Sequence, residues 1–314
     1  MPDLILHHYP NSPFSEKVRL VLGYKGLAWK SVHIPVVMPK PDVVALTGGY
    51  RRTPFMQVGA DIYCDSALIC DLLDRLAPRP ALYPDAAGAQ ARLLAQWADS
   101  TLFWTAVPYT MQPAGMAHIF AGLPPEGVKA FAADRAAFRG NALRLSLPEL
   151  TGHLRVYLDW IEGMFVDGRA FVTGSEPSVA DFAIYHAIWF VRRAPPVATI
   201  LDPCTRLAAW FARMQAFGHG ASEPLSSGEA IEIARGATPA PATAPLADVH
   251  GLTPGDRVVV MPVDTGIEPV EGELVISAPN EIAIRRIDAR AGELVVHFPR
   301  TGFQMKKADK EKTT

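Results

Sequence analysis

Strand-like and helix-like segments alternate over the first 77 residues, and their order constrains the fold more than any other feature. Extended runs rich in apolar residues predict strands, whereas apolar residues at i, i+3 and i+4 predict helices. The predicted segments are, in order, a strand at 4–9, a helix at 15–25, strands at 30–37, 55–58 and 62–64, and a helix that ends before Pro78. This βαβ and then ββα order predicts an α/β domain within residues 1–80.

Residues 86–217 have a helical pattern almost throughout, which predicts a second, all-α domain. Proline and glycine interrupt helices, and the breaks they predict lie at Pro108, Pro124-Pro125, Gly140 and Pro195-Pro196. One helix start is marked by Ser178, whose hydroxyl can cap the helix while the carboxylate of Asp181 caps in return. We interpret this pair as a structural cap without chemistry.

The composition changes again after the helical region. Residues 218–250 are rich in Ala, Pro, Gly, Ser and Thr, which predicts a linker with one short helix at 229–235. Four β-rich runs separated by turn residues follow within residues 251–305 and predict a small all-β domain in the form of an SH3-like barrel. Residues 306–314 are charged and lack apolar periodicity, so we expect a solvated tail.

Bulk composition argues against several classes of function. The 314 residues carry a formal net charge of -2, so no long-range field attracts nucleic acid or anionic lipid. No segment is long and apolar enough to span a bilayer, and the three cysteines form no CxxC pair. The nine histidines show no spacing typical of a metal site. We therefore expect a cytoplasmic protein with no metal, nucleic-acid or membrane partner.

The first candidate site lies between the first strand and the first helix, in the segment Tyr9-Pro10-Asn11-Ser12-Pro13-Phe14-Ser15. It places a hydroxyl near a helix N-terminus, where unpaired N–H groups and the helix dipole stabilise a thiolate or a carboxylate. A serine in this position is also an ordinary N-cap. From this segment alone, both interpretations of Ser12 and Ser15 stay open.

Two further loops carry groups that suit a small peptide. Pro54 precedes the third strand, and a cis peptide bond there would turn the N–H and C=O of Thr53 outward, where they can pair with a peptide. Asp65 and Ser66 begin the helix after the fourth strand and offer an acceptor for an ammonium group and donors for a carboxylate. Together, the three loops predict a site for a small peptide thiol.

These motifs make residues 4–77 resemble the N-terminal domain of the glutathione transferases. The shared features are the Ser-Pro-Phe-Ser start of the first helix, Arg52 two residues before Pro54, and an acidic residue followed by serine at the later helix. The Ser178 cap resembles the capping box of the family's helical domain, and Glu229-Ala230 resembles the segment after the last helix in some bacterial members. The resemblance thus covers about two-thirds of the chain.

The resemblance implies a thioredoxin-like domain that binds glutathione as co-substrate, an all-α domain and a homodimer. It implies that Ser12 is the catalytic serine of serine-type members, whose hydroxyl donates a hydrogen bond to the glutathione thiolate and lowers the thiol pKa. The thiolate would then attack a small hydrophobic electrophile, as in detoxification. Ser15, one turn further on, remains an alternative for this role.

The resemblance also implies which residues bind each part of glutathione. Thr53 and Pro54 would pair with the cysteinyl backbone, whereas Asp65 and Ser66 would hold the γ-glutamyl end. Arg52 would face either the glycyl carboxylate or solvent, and both stay open. Thr53 departs from the family, which usually has an aliphatic residue before the proline.

Other candidates have weaker signals. An electrophile site between the domains would lie near the cluster of Phe103, Trp104, Tyr109 and Met111, although aromatic side chains on helices more often belong to a core. Cys64 and Cys70 are expected to be buried structural thiols.

Three functions remain open at this point. They are transfer of glutathione to an electrophile, a related glutathione chemistry such as dehalogenation, isomerisation or peroxide reduction, and a non-catalytic scaffold whose C-terminal β domain recruits a protein.

Overall fold

A computed structural model describes residues 2–140, 144–242 and 251–308. The N-terminal elements have the predicted βαβ and ββα order, which confirms the thioredoxin-like domain. Its strands are β1 (Ile5–His8), β2 (Trp29–His33), β3 (Phe55–Val58) and β4 (Asp61–Cys64), and its helices are α1 (Pro13–Tyr24), α2 (Pro41–Thr47) and α3 (Ser66–Leu76). Helix α2 lies where the sequence indicated only a Pro-rich loop, because Pro41 is tolerated at the first turn of a helix.

Both faces of this sheet are buried, and different parts of the chain cover them. Leu4 and Leu6 belong to a core shared with α1, α3 and the helical domain, whereas Ile5 belongs to a core shared with α2 and the C-terminal strands. Successive residues of a strand point to opposite faces, so one short apolar run contributes to both cores.

The helical domain predicted after residue 86 is confirmed. Its helices are α4 (Gly88–Trp97), α5 (Phe103–Thr110), α6 (Pro113–Ile119), α7 (Pro125–Arg139), α8 (Leu147–Met164), α9 (Val179–Arg192), α10 (Pro195–Ala198) and α11 (Thr205–Gln215). The expected break at Pro108 is wrong, since this proline lies inside α5. The irregularity occurs earlier, as a π-helical turn over Ala98–Leu102 that joins α4 to α5.

Helix α9 lies at the centre of the helical domain, and the predicted cap marks its start. The Asp181 carboxylate accepts the Ser178 N–H at 2.9 Å, the Val172 N–H at 2.8 Å and the Trp210 indole N–H at 2.9 Å. This buried carboxylate therefore ties the start of α9 to α11 and to the preceding turn, which is a structural role.

The C-terminal part forms the predicted small β domain. Its strands are β6 (Arg257–Pro262), β7 (Val270–Ser277), β8 (Glu281–Asp288), β9 (Gly292–Pro299) and β10 (Phe303–Lys307), and the preceding segment holds β5 (Ser222–Pro224) and α12 (Ser227–Gly236). The five strands pair antiparallel in the order β10-β6-β7-β8-β9.

The β domain does not stand apart from the rest of the molecule. Strand β9 pairs in parallel with β4, with Ile62 opposite Val296, so that the described strands form one ten-stranded sheet in the order β10-β6-β7-β8-β9-β4-β3-β1-β2-β5. This pairing covers the β4 edge of the thioredoxin-like sheet with main-chain hydrogen bonds.

A buried polar cluster lies at the seam between β4 and β9. The imidazole of His297 contacts the Asp61 carboxylate at 3.0 Å and the Glu281 carboxylate at 2.6 Å, and it stacks on Tyr63 with the ring centroids 4.3 Å apart. Burial alone would lower the pKa of His297, but the two carboxylates outweigh it and raise the pKa above its usual value. The two carboxylates thus favour the protonated form of His297.

Parts of two predicted segments lie outside the described residues, namely residues 243–250 of the linker and 309–314 of the charged tail. None of the described helices is long and apolar enough to cross a membrane.

The His297 cluster predicts that stability depends on pH. Above about pH 6.5 an unfolded histidine loses its proton, whereas His297 in the folded protein keeps its proton to a higher pH. The free energy of unfolding should therefore fall as the pH rises above about 6.5. The contribution is complete below that unfolded pKa and is lost as the pH rises through the higher folded pKa.

Urea unfolding of the wild type and His297→Gln between about pH 6 and pH 9 measures this contribution. The wild type should lose up to about 1.4 kcal/mol more per pH unit than the variant. The other ionisable groups nearby are Tyr63, which stacks on His297, and Arg75, which pairs with Glu281. These two groups, Asp61 and Glu281 are present in both proteins. Equal pH slopes would contradict the pairing of a charged His297.

Candidate active site

Ser12 lies directly after the loop that follows β1, at the N-cap of α1. Its Oγ accepts the N–H of Ser15 at 3.2 Å, and only 2% of its surface is exposed. Pro13 occupies the first helical position, where its missing N–H costs no hydrogen bond. The serine hydroxyl therefore stands at the positive end of the α1 dipole.

Ser15 is placed differently from Ser12. It lies within α1 and is fully buried, and its Oγ has no hydrogen-bond partner among the described residues. The backbone N–H of Ser15, not its side chain, takes part in the helix cap.

Tyr9 is a neighbour of Ser12 that the sequence did not single out. Its phenolic oxygen accepts a hydrogen bond from Nη2 of Arg135 at 3.3 Å, and its backbone carbonyl accepts the N–H of Ser12 at 3.2 Å. Burial raises the pKa of Tyr9, and the nearby guanidinium only partly offsets this, so the phenol keeps its proton at neutral pH. The position directly after β1 was the one signal available, since Arg135 lies 126 residues away in the chain.

The peptide bond between Thr53 and Pro54 is cis, as the sequence suggested. Phe55, at the start of β3, lies opposite His7 of β1 and opposite Cys64 of β4. No described residue forms a hydrogen bond to the N–H or C=O of Thr53. These two groups are thus available to pair with an extended peptide.

Asp65 is the N-cap of α3, and its carboxylate accepts the Ala67 N–H at 2.9 Å. Among the described non-glycine residues, Asp65 alone has a positive φ, at 76°. Such a conformation costs free energy and persists where the surrounding structure enforces it, often at functional sites. Burial raises the pKa of Asp65, although the Ala67 N–H and the Arg52 charge oppose this.

Ser66 is 3% exposed and sits above a buried charge network that links the two domains. Nζ of Lys17 lies 3.3 Å from Ser66 Oγ and 2.5 Å from the Asp99 carboxylate, which also contacts Nε2 of His186 at 3.0 Å. Burial opposes both charges, but the attraction within the pair raises the pKa of Lys17 and lowers the pKa of Asp99. Asp99 belongs to the π-helical turn, which brings it within reach of α1.

Arg52 faces neither solvent nor an open anion site in this structure. Its guanidinium binds the Asp264 carboxylate and the carbonyl of Thr265, both in the loop between β6 and β7, and lies 5.7 Å from the centre of the Phe303 ring. The C-terminal β domain therefore supplies the partners of this arginine.

The structure separates the four residues suggested for an electrophile site. Phe103 lies 4.5 Å from the ring of Phe14 in α1, and Trp104 lies under the guanidinium of Arg139. Tyr109 instead donates its hydroxyl hydrogen to the carbonyl of Val197 within the helical domain. Met111 is the C-cap of α5. Phe103 therefore lies beside the thioredoxin-like domain and Trp104 beside the end of α7. Tyr109 and Met111 lie beside neither.

Comparisons with known proteins agree with this geometry. The family models for the glutathione S-transferase N-terminal and C-terminal domains match residues 6–81 and 145–213. A GST-like protein from Pseudomonas syringae has a similar crystal structure with a TM-score of 0.84 and 41% sequence identity over 98% of this chain and 100% of that chain.

The chain belongs to the glutathione S-transferase family. Because the Pseudomonas syringae protein is matched over nearly all of this chain, the likeness includes the C-terminal β domain. No curated protein matches the sequence.

More distant solved structures share the fold alone. Two examples are a glutathione S-transferase from Rhodospirillum rubrum and the beta-etherase LigF from a Sphingobium strain. Each has a TM-score of 0.51 and 18% identity over 68% of this chain, and the match covers 88% of the first protein's chain and 95% of the second's. In this glutathione S-transferase family member, Cys64, Cys70 and Cys204 are buried free thiols. The described residues contain no group of three or more His, Cys, Asp or Glu side chains placed to hold a metal ion.

The charge network beneath Ser66 predicts a large effect of one substitution on stability. Asp99→Asn would leave the ammonium of Lys17 buried without a counter-charge, so the free energy of unfolding should fall by about 3–5 kcal/mol. Replacing Lys17 with methionine in that background should restore part of the loss, since the unpaired charge is then gone.

Denaturant unfolding of the single and double variants measures both effects. The exposed pair of Arg257 and Glu271 provides a matched control, because Glu271→Gln removes a surface ion pair and should change stability little. If Asp99→Asn were as mild as Glu271→Gln, Lys17 would not depend on Asp99.

Proposed function

We propose that this protein is a glutathione transferase, in which Ser12 activates the glutathione thiol for attack on a small electrophile. The observation that carries the proposal is the register of three strands. Ser12 follows the C-terminal end of β1, Thr53 precedes the start of β3, and Asp65 follows the end of β4. Because β3 is antiparallel to both neighbours, the end of β1, the start of β3 and the end of β4 lie side by side, and these three positions meet there.

Each position supplies a group that glutathione needs. The Ser12 hydroxyl and the N-terminus of α1 stabilise a thiolate over a thiol. The free backbone groups of Thr53 pair with the cysteinyl backbone as an added strand would, beside the cis bond to Pro54. The Asp65 carboxylate attracts the γ-glutamyl ammonium group, and the N-terminus of α3 attracts the neighbouring carboxylate.

Lys17 supports the role of Ser66 in holding that carboxylate. A lysine ammonium group only donates hydrogen bonds, so Ser66 Oγ accepts from Lys17 and its own hydrogen is free to be donated elsewhere. The hydroxyl is therefore oriented as a donor to an anion.

Arg52 contributes differently from the other candidate residues. Asp264 already neutralises its guanidinium, so we expect no ion pair between Arg52 and the glycyl carboxylate. In our proposal, this arginine shapes the glycyl end of the site by holding the loop of the β domain there.

Family membership supports three further parts of the proposal, which are a homodimer, a cytoplasmic location and a role in detoxification. A related glutathione chemistry on another electrophile would use the same groups. A non-catalytic scaffold is the second candidate, favoured by the 2% exposure of Ser12 and by the C-terminal domain that binds Arg52.

Calorimetric titration with reduced glutathione tests the proposal and separates it from the scaffold. The wild type should bind, and Asp65→Asn should weaken binding by about tenfold or more, because asparagine can keep the α3 cap but loses the charge. Ser12→Ala should bind with similar affinity and lose about a hundredfold in turnover of an activated aryl chloride.

Ser15→Ala is the matched control for Ser12→Ala and should retain activity. Activity that depends on Ser15 and not on Ser12 would assign the role to the other serine. No binding by the wild type at millimolar glutathione would leave the scaffold as the function.

A further inference from the structure

The turn between β1 and α1 carries Ser12, and side chains hold most of it in place. Its one main-chain hydrogen bond within the turn runs from the N–H of Ser12 to the carbonyl of Tyr9, at 3.2 Å. The carbonyls of Pro10 and Asn11 accept no main-chain N–H from the described residues. These two carbonyls therefore depend on side-chain donors, and each of them has one.

Arg19 of α1 supplies the donor for Pro10. Its Nη2 donates to the Pro10 carbonyl at 2.9 Å and to the Glu16 carboxylate at 2.6 Å. Its Nη1 donates to Nδ1 of His8 at 3.0 Å, and because a guanidinium cannot accept, this imidazole nitrogen must be unprotonated. Burial and the Arg19 charge accordingly lower the pKa of His8 to about 3. Neighbours on β1 and α1 thus hold Arg19 in place against the turn.

Arg193, at the C-cap of α9, supplies the donors for Asn11. Its Nη1 donates to the Asn11 carbonyl at 3.3 Å, and its Nη2 donates to Oδ1 of the same residue at 2.7 Å. The guanidinium also lies 5.0 Å from the centre of the Trp189 ring, one turn earlier in α9, which limits the positions it can take. The helical domain therefore binds the residue directly before Ser12.

The Asn11 carbonyl matters because it shares a peptide group with the N–H of Ser12, and a peptide group is planar. Arg193 holds this plane at the carbonyl, and the Tyr9 carbonyl holds it at the N–H. A rotation of the plane would change the φ of Ser12, which is −78°, and would turn the Cα–Cβ bond that carries the hydroxyl. The Arg193 contact therefore acts on the direction of Ser12 Oγ.

The direction of this hydroxyl decides how well it can stabilise a thiolate. Ser12 Oγ accepts the N–H of Ser15 at 3.2 Å, which leaves its own hydrogen to be donated to another group. A hydrogen bond weakens steeply as its angle departs from linearity. Small rotations of the turn should therefore weaken the bond to a thiolate without removing any group that binds the rest of glutathione.

We propose that Arg193 is a positioning residue, which directs the Ser12 hydroxyl at the glutathione thiolate by holding the peptide plane before Ser12. The proposal rests on the glutathione transferase function proposed above. It assigns part of the activation of the thiol to the helical domain, so that Ser12 is correctly oriented only when the two domains are docked. Arg19 holds the preceding peptide plane from within the thioredoxin-like domain.

Helix α9 also reaches the opposite end of the candidate site. His186, about two turns before Arg193, contacts the Asp99 carboxylate at 3.0 Å. Asp99 in turn binds the ammonium of Lys17, which donates to Ser66 at 3.3 Å. The same helix therefore contacts the turn before α1 and, through this network, the end proposed for the γ-glutamyl group.

The pKa of the glutathione thiol in the complex tests this role, and the ultraviolet absorbance of the thiolate as a function of pH measures it. Arg193→Met should raise this pKa by about 0.5–1 unit, because the peptide plane before Ser12 loses its hydrogen bond from the helical domain. Asn11→Ala should raise it by a smaller amount, since only the Oδ1 contact is lost. The double variant should raise it no further than Arg193→Met alone.

Two variants separate positioning from a loss of charge. Arg192→Met is the matched control, because it removes the same charge from the same end of α9. The Arg192 guanidinium packs 4.5 Å from the centre of the Phe211 ring in α11, so this variant should leave the thiol pKa unchanged. Asn11→Ala keeps the charge of Arg193, so a rise in that variant has another cause than a missing charge.

Binding and stability separate positioning from a purely structural role. Calorimetric titration about one pH unit below the thiol pKa of the wild-type complex measures the affinity for glutathione bound mainly as a thiol. Arg193→Met should keep this affinity, because Thr53, Asp65 and Ser66 are unchanged. Denaturant unfolding of each variant checks that the protein remains folded.

The outcomes distinguish this proposal from the function on which it rests. If the wild type binds no glutathione, both are overturned. If it binds with a thiol pKa that Ser12→Ala raises and Arg193→Met leaves unchanged, only the positioning role is overturned. An equal rise in Arg192→Met would assign the effect to charge and overturn that role as well. A loss of affinity for the thiol form as large as the loss of thiolate stabilisation would make Arg193 a structural residue instead.

Discussion

The parallel pairing of β4 with β9 is the interaction on which the arrangement of this molecule depends. A thioredoxin-like sheet that ends at β4 presents a row of unpaired main-chain groups, and the C-terminal domain satisfies them by extending the sheet. The pairing also brings β8 and β9 over α2, where Arg286 donates to the carbonyl of Ala45. From this position, the loop 263–269 between β6 and β7 contacts Arg51 through Glu268 and Arg52 through Asp264. The contacts around the candidate site therefore follow from one strand pairing.

Buried charges lie at both junctions of the thioredoxin-like domain. Lys17 and Asp99 join it to the helical domain, and His297 joins it to the β domain through Asp61. A buried ion pair adds little net stability, because its desolvation offsets much of the attraction. Each pair nevertheless penalises any other docking, since a misplaced partner would leave a charge unpaired. We infer that these charges select one relative placement of the domains, whereas the apolar cores supply most of the association energy.

How much of the structure the sequence predicts depends on the range of the interactions. The βαβ and ββα order, the helical domain and the Ser178 cap rest on local periodicity and capping, and these predictions are confirmed. The pairing of β4 with β9 joins residues more than 230 positions apart, and no local pattern encodes it. The sequence therefore predicts a small SH3-like barrel, but it leaves open how this domain packs on the rest of the chain and does not indicate that β9 pairs with β4.

The same distinction applies to the candidate site. Ser12, Thr53, Asp65 and Ser66 lie next to strand ends, so the order of the elements brings them together and sequence motifs reveal them. Lys17 and Asp99 were missed because a charged residue in an amphipathic helix ordinarily faces solvent. Arg135 was missed because α7 buries none of its residues and so shows no apolar face. Arg135 contacts this part of the molecule through one hydrogen bond to Tyr9 and one to Val36.

The two attachments of the C-terminal domain differ in kind. At β4 the domain is joined by consecutive main-chain hydrogen bonds and by a shared apolar core, which open only together. At α7 it is joined by a few polar contacts, among them the Gly266 N–H bond to Phe138. Separating polar groups that water can solvate costs far less than exposing a core. The strand pairing with β4 therefore fixes the β domain more firmly than its contacts with α7 do.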